Sequence, residues 1–351
     1  MNNAVKSLIA VLLGLIAGAI LMALTGHNPI EGYKFLLQGG LKNPERIGNT
    51  LATATPLILT GLSVAFAFRT GLFNIGAAGQ MLFGGFCATA VGLSFDLPRP
   101  ALLLVMTLVG FIGGALWAVV PGFLKARYNV HEVVSTIMMN WIAYWTVYYV
   151  VPAYFKGTSL ETESRQLPPE ARLHQQWLSD MFQGSYVNLG LFIAVIGVIV
   201  IAFIINKTTL GYELKAVGFN RHASEYAGIA VNRGIVLSMF ISGGLAGLAG
   251  VAQYTGNASS LQIGVMPSQG FDGIAVALLG LNAPIGVLLS ALFFGVLYAG
   301  KGFMNAMTDI PPEIADSIIA IIIYFAATSI LIERLYRKFK QRRSANKKQE
   351  E

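Results

Sequence analysis

Asn74, Gln80, Ser135, Asn140, Gln253 and Asp272 sit within long apolar runs of a 351-residue chain. Thr136 and Asn257 are placed in the same way. In hydrocarbon such groups cost free energy unless each finds a partner, so they are expected to face the interior of a helix bundle or a cavity. Amides and hydroxyls both donate and accept hydrogen bonds. They suit a polar, uncharged solute better than an ion, and they serve equally as bonds between helices. Both readings stand for each amide. Asp272 is the one carboxylate of its region, and an ionised Asp at mid-membrane costs about 2.5–3.5 kcal/mol on insertion scales. Its expected role is to cap a helix beginning near Gly273 through that helix's free amides and dipole, ahead of proton coupling or solute contact.

Bond-making chemistry lacks its usual patterns. The four histidines, His27, His131, His174 and His222, show no paired metal-ligand spacing. His131-Glu132 is not followed by a second His, so the H-E-x-x-H zinc motif is absent. No G-x-S-x-G elbow occurs, and Gly300-Lys301-Gly302 lacks the hydroxyl residue that a phosphate loop needs. The chain is expected to be no enzyme, to bind no metal or cofactor, and to hydrolyse no ATP itself. The single cysteine, Cys87, excludes an intramolecular disulfide and reads as a small packing residue.

These side chains need elements to hold them, and the composition says which. Hydrophobic residues make up 55% of the chain and charged ones 12%, about half the charged share of a soluble domain. The fold class expected is an all-α integral membrane protein. Runs near the 20 residues needed to cross hydrocarbon lie at about 6–24, 50–68, 71–92, 101–124, 132–154, 187–205, 235–254 and 314–332. Shorter pieces at 270–281 and 284–300, parted by Asn282 and Pro284, read as short or broken helices. The total expected is about ten transmembrane helices. The first apolar core, Leu8 to Leu24, is longer than a signal-peptide core and has no A-x-A site after it, so a retained helix is expected.

Net charge is +7, and eight basic residues crowd between Arg334 and Lys348. Only Tyr336 and Phe339 interleave with them, which suits anionic lipid headgroups and not nucleic acid. With ten crossings, 16 basic residues fall on the side of the termini and 8 on the other. The bias puts both termini in the cytoplasm. The 155–186 segment then lies outside, as a small lid, a docking surface or a solvated connector.

Glycines spaced four apart, Gly14/Gly18, Gly110/Gly114 and Gly243/Gly247, favour close helix packing. The polar segment 206–234 is expected to form two short helices. One runs from Tyr212 to Val217 and is stopped by Gly218; the other is capped by Asn220, runs from Arg221 to Ala227 and is ended by Gly228. Arg221 and Glu225 are four apart and can pair. A knob for a cytoplasmic partner and a helix lying on the headgroups fit this pattern equally.

At this segment a family resemblance emerges. LGYELKAVGFNRHASEYAGI and LSMFISGGLAGLAGVAQYTG, with GLFNIGAAGQMLFGG, VSTIMMNWIA and GFDGIAVALLGLNAPIGVLLSALFFGVL, closely resemble permeases of ABC importers for nucleosides and simple sugars. The blocks span about residues 50–332. The resemblance implies a permease domain over 1–332, with a coupling loop at 206–234 and a basic cytoplasmic tail at 333–351. It implies partners: a second homologous permease, a cytoplasmic ABC ATPase that uses the ATP, and an extracellular substrate-binding protein, often a lipoprotein. Gly211, Tyr212, Gly218, Asn220, Ala223, Glu225, Tyr226 and Gly228 match the loop that carries ATPase motion into the membrane. Where the family usually has an acidic residue, this chain has Ala78.

The expected function is therefore the permease subunit of an importer for a nucleoside or simple sugar, in a bacterial inner membrane. A permease for another small polar solute, such as a branched-chain amino acid, is the nearest alternative. An ion-coupled secondary transporter is weaker, since only Asp272 offers a carboxylate and no inverted repeat is visible. A membrane-embedded enzyme lacks catalytic clusters.

Overall fold

Backbone amides in hydrocarbon have no water to bond, so long apolar runs must close their hydrogen bonds internally as helices. The computed structural model describes residues 3–157 and 162–327, and these are mainly helical. In order the helices are α1 (Asn3–Leu24), α2 (Pro29–Leu41), α3 (Pro44–Arg69), α4 (Ala77–Ser94), α5 (Arg99–Tyr128), α6 (Glu132–Tyr154), α7 (Gln176–Met181) and α8 (Gly190–Lys207). They continue as α9 (Thr209–Phe219), α10 (Arg221–Tyr226), α11 (Val231–Val251), α12 (Gln269–Leu279), α13 (Pro284–Thr308) and α14 (Pro312–Ala327). A π-helical turn, Ala252–Asn257, prolongs α11. The basic tail lies outside the described residues.

Among the described residues, seven helices are long and apolar enough to cross a membrane: α1, α3, α4, α5, α8, α11 with its π turn, and α13; the expected 314–332 crossing lies partly outside the described residues, which end at 327. The chain is a multi-pass membrane protein. Among the other expected crossings, α6 has 23 residues but carries Trp, Tyr and Asn along its length, and α12 has only 11. The chain breaks after α12, with Leu281 and Asn282 both in the left-handed region. Beyond the break, however, α13 is a continuous 25-residue helix and not a short piece. The helix α2 was not foreseen, because its Gly, Glu, Tyr and Lys dilute the apolar signal.

Residues Gly40–Ala299 form one of two compact units. Its centre is α3, buried along most of its length; its buried hydroxyls bond the chain's own carbonyls, as Thr55 Oγ1 does to Leu51 O (2.8 Å) and Thr60 Oγ1 to Pro56 O (3.0 Å). Against it pack α11 and α12, with α4 and α5 behind α11. The helices α4, α5 and α11 meet along glycines: a side chain at Gly84 would strike Gly247, and one at Gly114 would strike Gly243. The expected pairs Gly110/Gly114 and Gly243/Gly247 thus face each other across one seam, where backbones gain dispersion contact that lipid cannot replace.

The described residues of the 155–186 segment, 155–157 and 162–186, fold over one end of this unit. Leu167 N–H donates to Ser259 O (2.8 Å), Leu173 N–H to Thr255 O (2.7 Å) and Ser164 N–H to Leu261 O (2.9 Å). Leu167 and Leu173 are buried with Leu102, Met106 and Val251. It is a packed lid rather than a free connector.

The described residues of the second unit are 3–39 and 300–327. Within it, Gly14 and Gly18 of α1 receive Ile322 and Ile318 of α14. Lys301 and Asp316 form an ion pair at 2.8 Å.

Candidate functional site

The polar residues singled out from sequence separate into two groups. Asn74 and Gln80 are 0% and 1% exposed and bond each other reciprocally. Asn74 Nδ2 donates to Gln80 Oε1 (2.8 Å), and Gln80 Nε2 donates to Asn74 Oδ1 (3.0 Å). Asn74 Nδ2 also reaches Ser242 Oγ of α11 (2.8 Å), which in turn donates to Ser63 O of α3 (2.8 Å). From α6, Asn140 accepts from Gly79 N–H (2.8 Å) and donates to Ile75 O (3.0 Å). Ser135 and Thr136 bond back to Glu132 O of their own helix. Residues 71–76 are therefore a turn, with Gly71 at φ +74°, and α4 begins only at Ala77. The amides of Asn74 and Gln80 are occupied by the protein.

Gln253 and Asp272 belong elsewhere. They line a cavity of about 400 Å³ with Thr53, Leu57, Tyr186, Asn257, Ser268, Gln269 and Tyr298. The π turn carries Gln253 and Asn257 four residues apart, and Asn257 Nδ2 bonds Gln253 Oε1 (3.3 Å) and Ala52 O (2.9 Å). Tyr186 and Thr53 share a hydrogen bond of 3.1 Å. Asp272 lies in the first turn of α12, whose N-cap position is Ser268; the helix starts at Gln269, four residues before the expected start near Gly273, so Asp272 does not occupy the expected cap position. Ala78 is fully buried, and Gly270 of α12 packs on its backbone, leaving no room there for a carboxylate.

Sequence reading missed Thr53, Tyr186 and Tyr298. Their positions lie far apart in the chain and carry no local signal of a shared wall. Among the described residues, no three His, Cys, Asp or Glu side chains gather as a metal ion would require.

At the opposite end from the lid, α9 and α10 form the two expected short helices. Thr208 caps α9 by accepting from Gly211 N–H (3.1 Å), and Asn220 caps α10 by accepting from Ala223 N–H (3.0 Å). Gly228, at φ +83°, ends α10. Gly218 does not stop α9, which continues to Phe219. It permits close approach instead, since a side chain there would strike Arg69 O. Arg221 bonds Asn232 Oδ1 (3.0 Å) and Asn129 Oδ1 (3.4 Å) rather than pairing with Glu225. Phe219 and Tyr226 are 92% and 95% exposed, and Tyr212 is also exposed. Arg69 Nε donates to Asn282 O (3.0 Å), so α9, the 70–76 turn and the break between α12 and α13 meet at one place.

This helical frame matches a family described as "Branched-chain amino acid transport system / permease component" over residues 46–327. The chain belongs to this permease family. It is 42% identical over 343 residues to the guanosine ABC transporter permease protein NupP of Bacillus subtilis, covering 97% of this chain and 98% of that one. To the nucleoside ABC transporter permease protein NupB of Lactococcus lactis it is 40% identical over 356 residues, covering 97% and 96%. The glucose ABC transporter permease protein TsgB13 of Haloferax volcanii is 31% identical over 333 residues, covering 93% and 87%. The permease's cavity and its α9–α10 segment both lie inside the family match.

Proposed function

We propose that this permease forms, with a second homologous permease, the path by which a nucleoside enters a bacterial cell. An extracellular binding protein delivers the solute and a cytoplasmic ABC ATPase drives it, using the ATP. The observation that carries this reading is the cavity. At about 400 Å³ it lies in the usual range of about 300–1,000 Å³ for small-molecule sites. Neutral donors and acceptors dominate its polar wall, two tyrosines offer flat faces for a base, and Asp272 can accept from ribose hydroxyls or ring N–H groups. The nucleoside-named relatives are closer in sequence than the glucose-named one. Asn74, Gln80, Ser135 and Asn140 serve this site by holding the helices around it. Tyr186 of the cavity lining is partly exposed, which suits a second permease closing the path.

In this reading both termini and the α9–α10 segment are cytoplasmic, and ten helices cross the membrane. Phe219 and Tyr226 are the aromatic anchors for the ATPase, on helices set by Gly211, Asn220 and Gly228, with Tyr212, Ala223 and Glu225 around them. The basic tail meets anionic lipid.

Reconstitution in liposomes tests the proposal. Both permeases, the ATPase and the binding protein together should take up radiolabelled guanosine only with ATP, and excess unlabelled nucleoside should compete while glucose should not. Uptake by this chain alone under an ion gradient would overturn the reading.

A further inference from the structure

One groove on this permease is used by neither the path nor the α9–α10 segment. The helices α5 and α11 run antiparallel, with Gly110 against Gly247, Gly114 against Gly243 and Gly122 against Met239. Beside that seam lies an open groove of about 540 Å³. Val119 and Phe123 wall it from α5, and Val236, Leu237 and Phe240 wall it from α11. From position 119 to 127 it follows α5 for about 12 Å at 1.5 Å per residue. Phe123 is 51% exposed and Leu237 39%, so the groove opens to whatever surrounds two membrane-crossing helices.

The far end of this apolar groove is basic. Arg127 and Arg233 close it there, both exposed, and neither has an ion pair or hydrogen bond with another described residue. Asn232 beside them already accepts from Arg221, a third guanidinium. Glu132, five residues on from Arg127, is taken up by Lys125 at 2.9 Å. Arg233 also lies in the first turn of α11, whose N-cap Ala230 offers no side chain to the free amides. The dipole and unsatisfied N–H groups there favour an anion.

An occupant must therefore be apolar along about two helical turns and anionic at one end. We propose that the groove binds one anionic phospholipid, its acyl chain between Phe123 and Leu237 and its phosphate between Arg127 and Arg233. A free phosphate would leave the apolar walls unused. An acidic peptide would have to bury its backbone in a groove that hydrocarbon fills at no such cost. Basic pockets between membrane helices are recognised settings for anionic headgroups.

The full-length permease, purified in detergent and stripped of lipid, tests this by native mass spectrometry. It is offered phosphatidylglycerol or phosphatidylcholine with identical acyl chains. Retention of one phosphatidylglycerol per chain, preferred by about tenfold, is expected. R127Q/R233Q should reduce that retention to the phosphatidylcholine level, and R127K/R233K should restore most of it. Leu237→Trp, which fills the groove, should remove the bound lipid without lowering Tm. Equal retention of the two lipids, unchanged retention in R127Q/R233Q, displacement by inorganic phosphate, or loss only when residues 333–351 are removed would each overturn the proposal.

Discussion

At the residue scale, the amides of this chain do two different jobs, and burial separates them. Asn74 and Gln80 bond each other twice, so replacing one removes both of those bonds from the other, which stays buried. Such a loss costs about 1–3 kcal/mol in proteins generally, although membrane hydrogen bonds average nearer 0.6 kcal/mol. Asn74→Leu and Gln80→Leu should each lower the Tm of the purified permease. The double variant N74L/Q80L should lose less than the sum of the two, because its second substitution breaks no further bond between them. Gln253→Leu and Asp272→Asn, at half-buried positions, should lower Tm less than either of those single variants and weaken nucleoside uptake by about tenfold. A Tm loss in the second pair alone, or additive losses in the first, would reverse the assignment. Sequence marked all four as polar groups in apolar surroundings, which is the physics that makes them matter. It could not say which were paired, since the Asn74–Ser242 and Asn257–Ala52 contacts join residues far apart in the chain.

At the element scale, the helices were legible wherever one strong local signal dominated. Asn220 and Gly228 bracket α10 as their cap chemistry requires, and the apolar length of α1, α3, α5 and α11 suffices to place them. Gly218 misled, because a glycine that allows close packing looks the same in sequence as one that ends a helix. Its neighbourhood is a chain of contacts. Gly218 of α9 lies against Arg69 O, and Arg69 Nε donates to the Asn282 carbonyl at the break behind α12, the helix that carries Asp272 to the cavity. Two consecutive left-handed residues, Leu281 and Asn282, make that break a place where backbone torsion can be redistributed. Arg69→Gln should keep the ATPase bound and hydrolysing while uptake falls by about tenfold or more. Phe219→Asp with Tyr226→Asp should instead abolish ATPase copurification. Equal loss of hydrolysis and uptake in Arg69→Gln would show that the residue only supports the fold.

At the scale of the whole molecule, the decisive property is the distribution of charge between two faces. The face bearing α9 and α10 carries Lys207, Lys215, Arg221 and Arg233 and the lid on the other face carries Lys156, Arg165 and Arg172, so the larger bias comes from the basic residues counted along the whole chain, 16 on the side of the termini against 8. Basic loops are retained in the cytoplasm, so the lid should face outward and the aromatic pair Phe219 and Tyr226 inward. The native thiol allows a simple test, since Cys87 is the only one in the chain. In a Cys87→Ser background, a membrane-impermeant maleimide should label Glu170→Cys in intact cells. Tyr226→Cys, at a position 95% exposed in this chain, should react only after permeabilisation. Coexpression of the ATPase should then protect Tyr226→Cys while leaving Glu170→Cys untouched, because an anchor loses solvent contact only when its partner is seated. Labelling of Tyr226→Cys in intact cells would invert the topology, and failure of the ATPase to protect it would remove α10 from the interface.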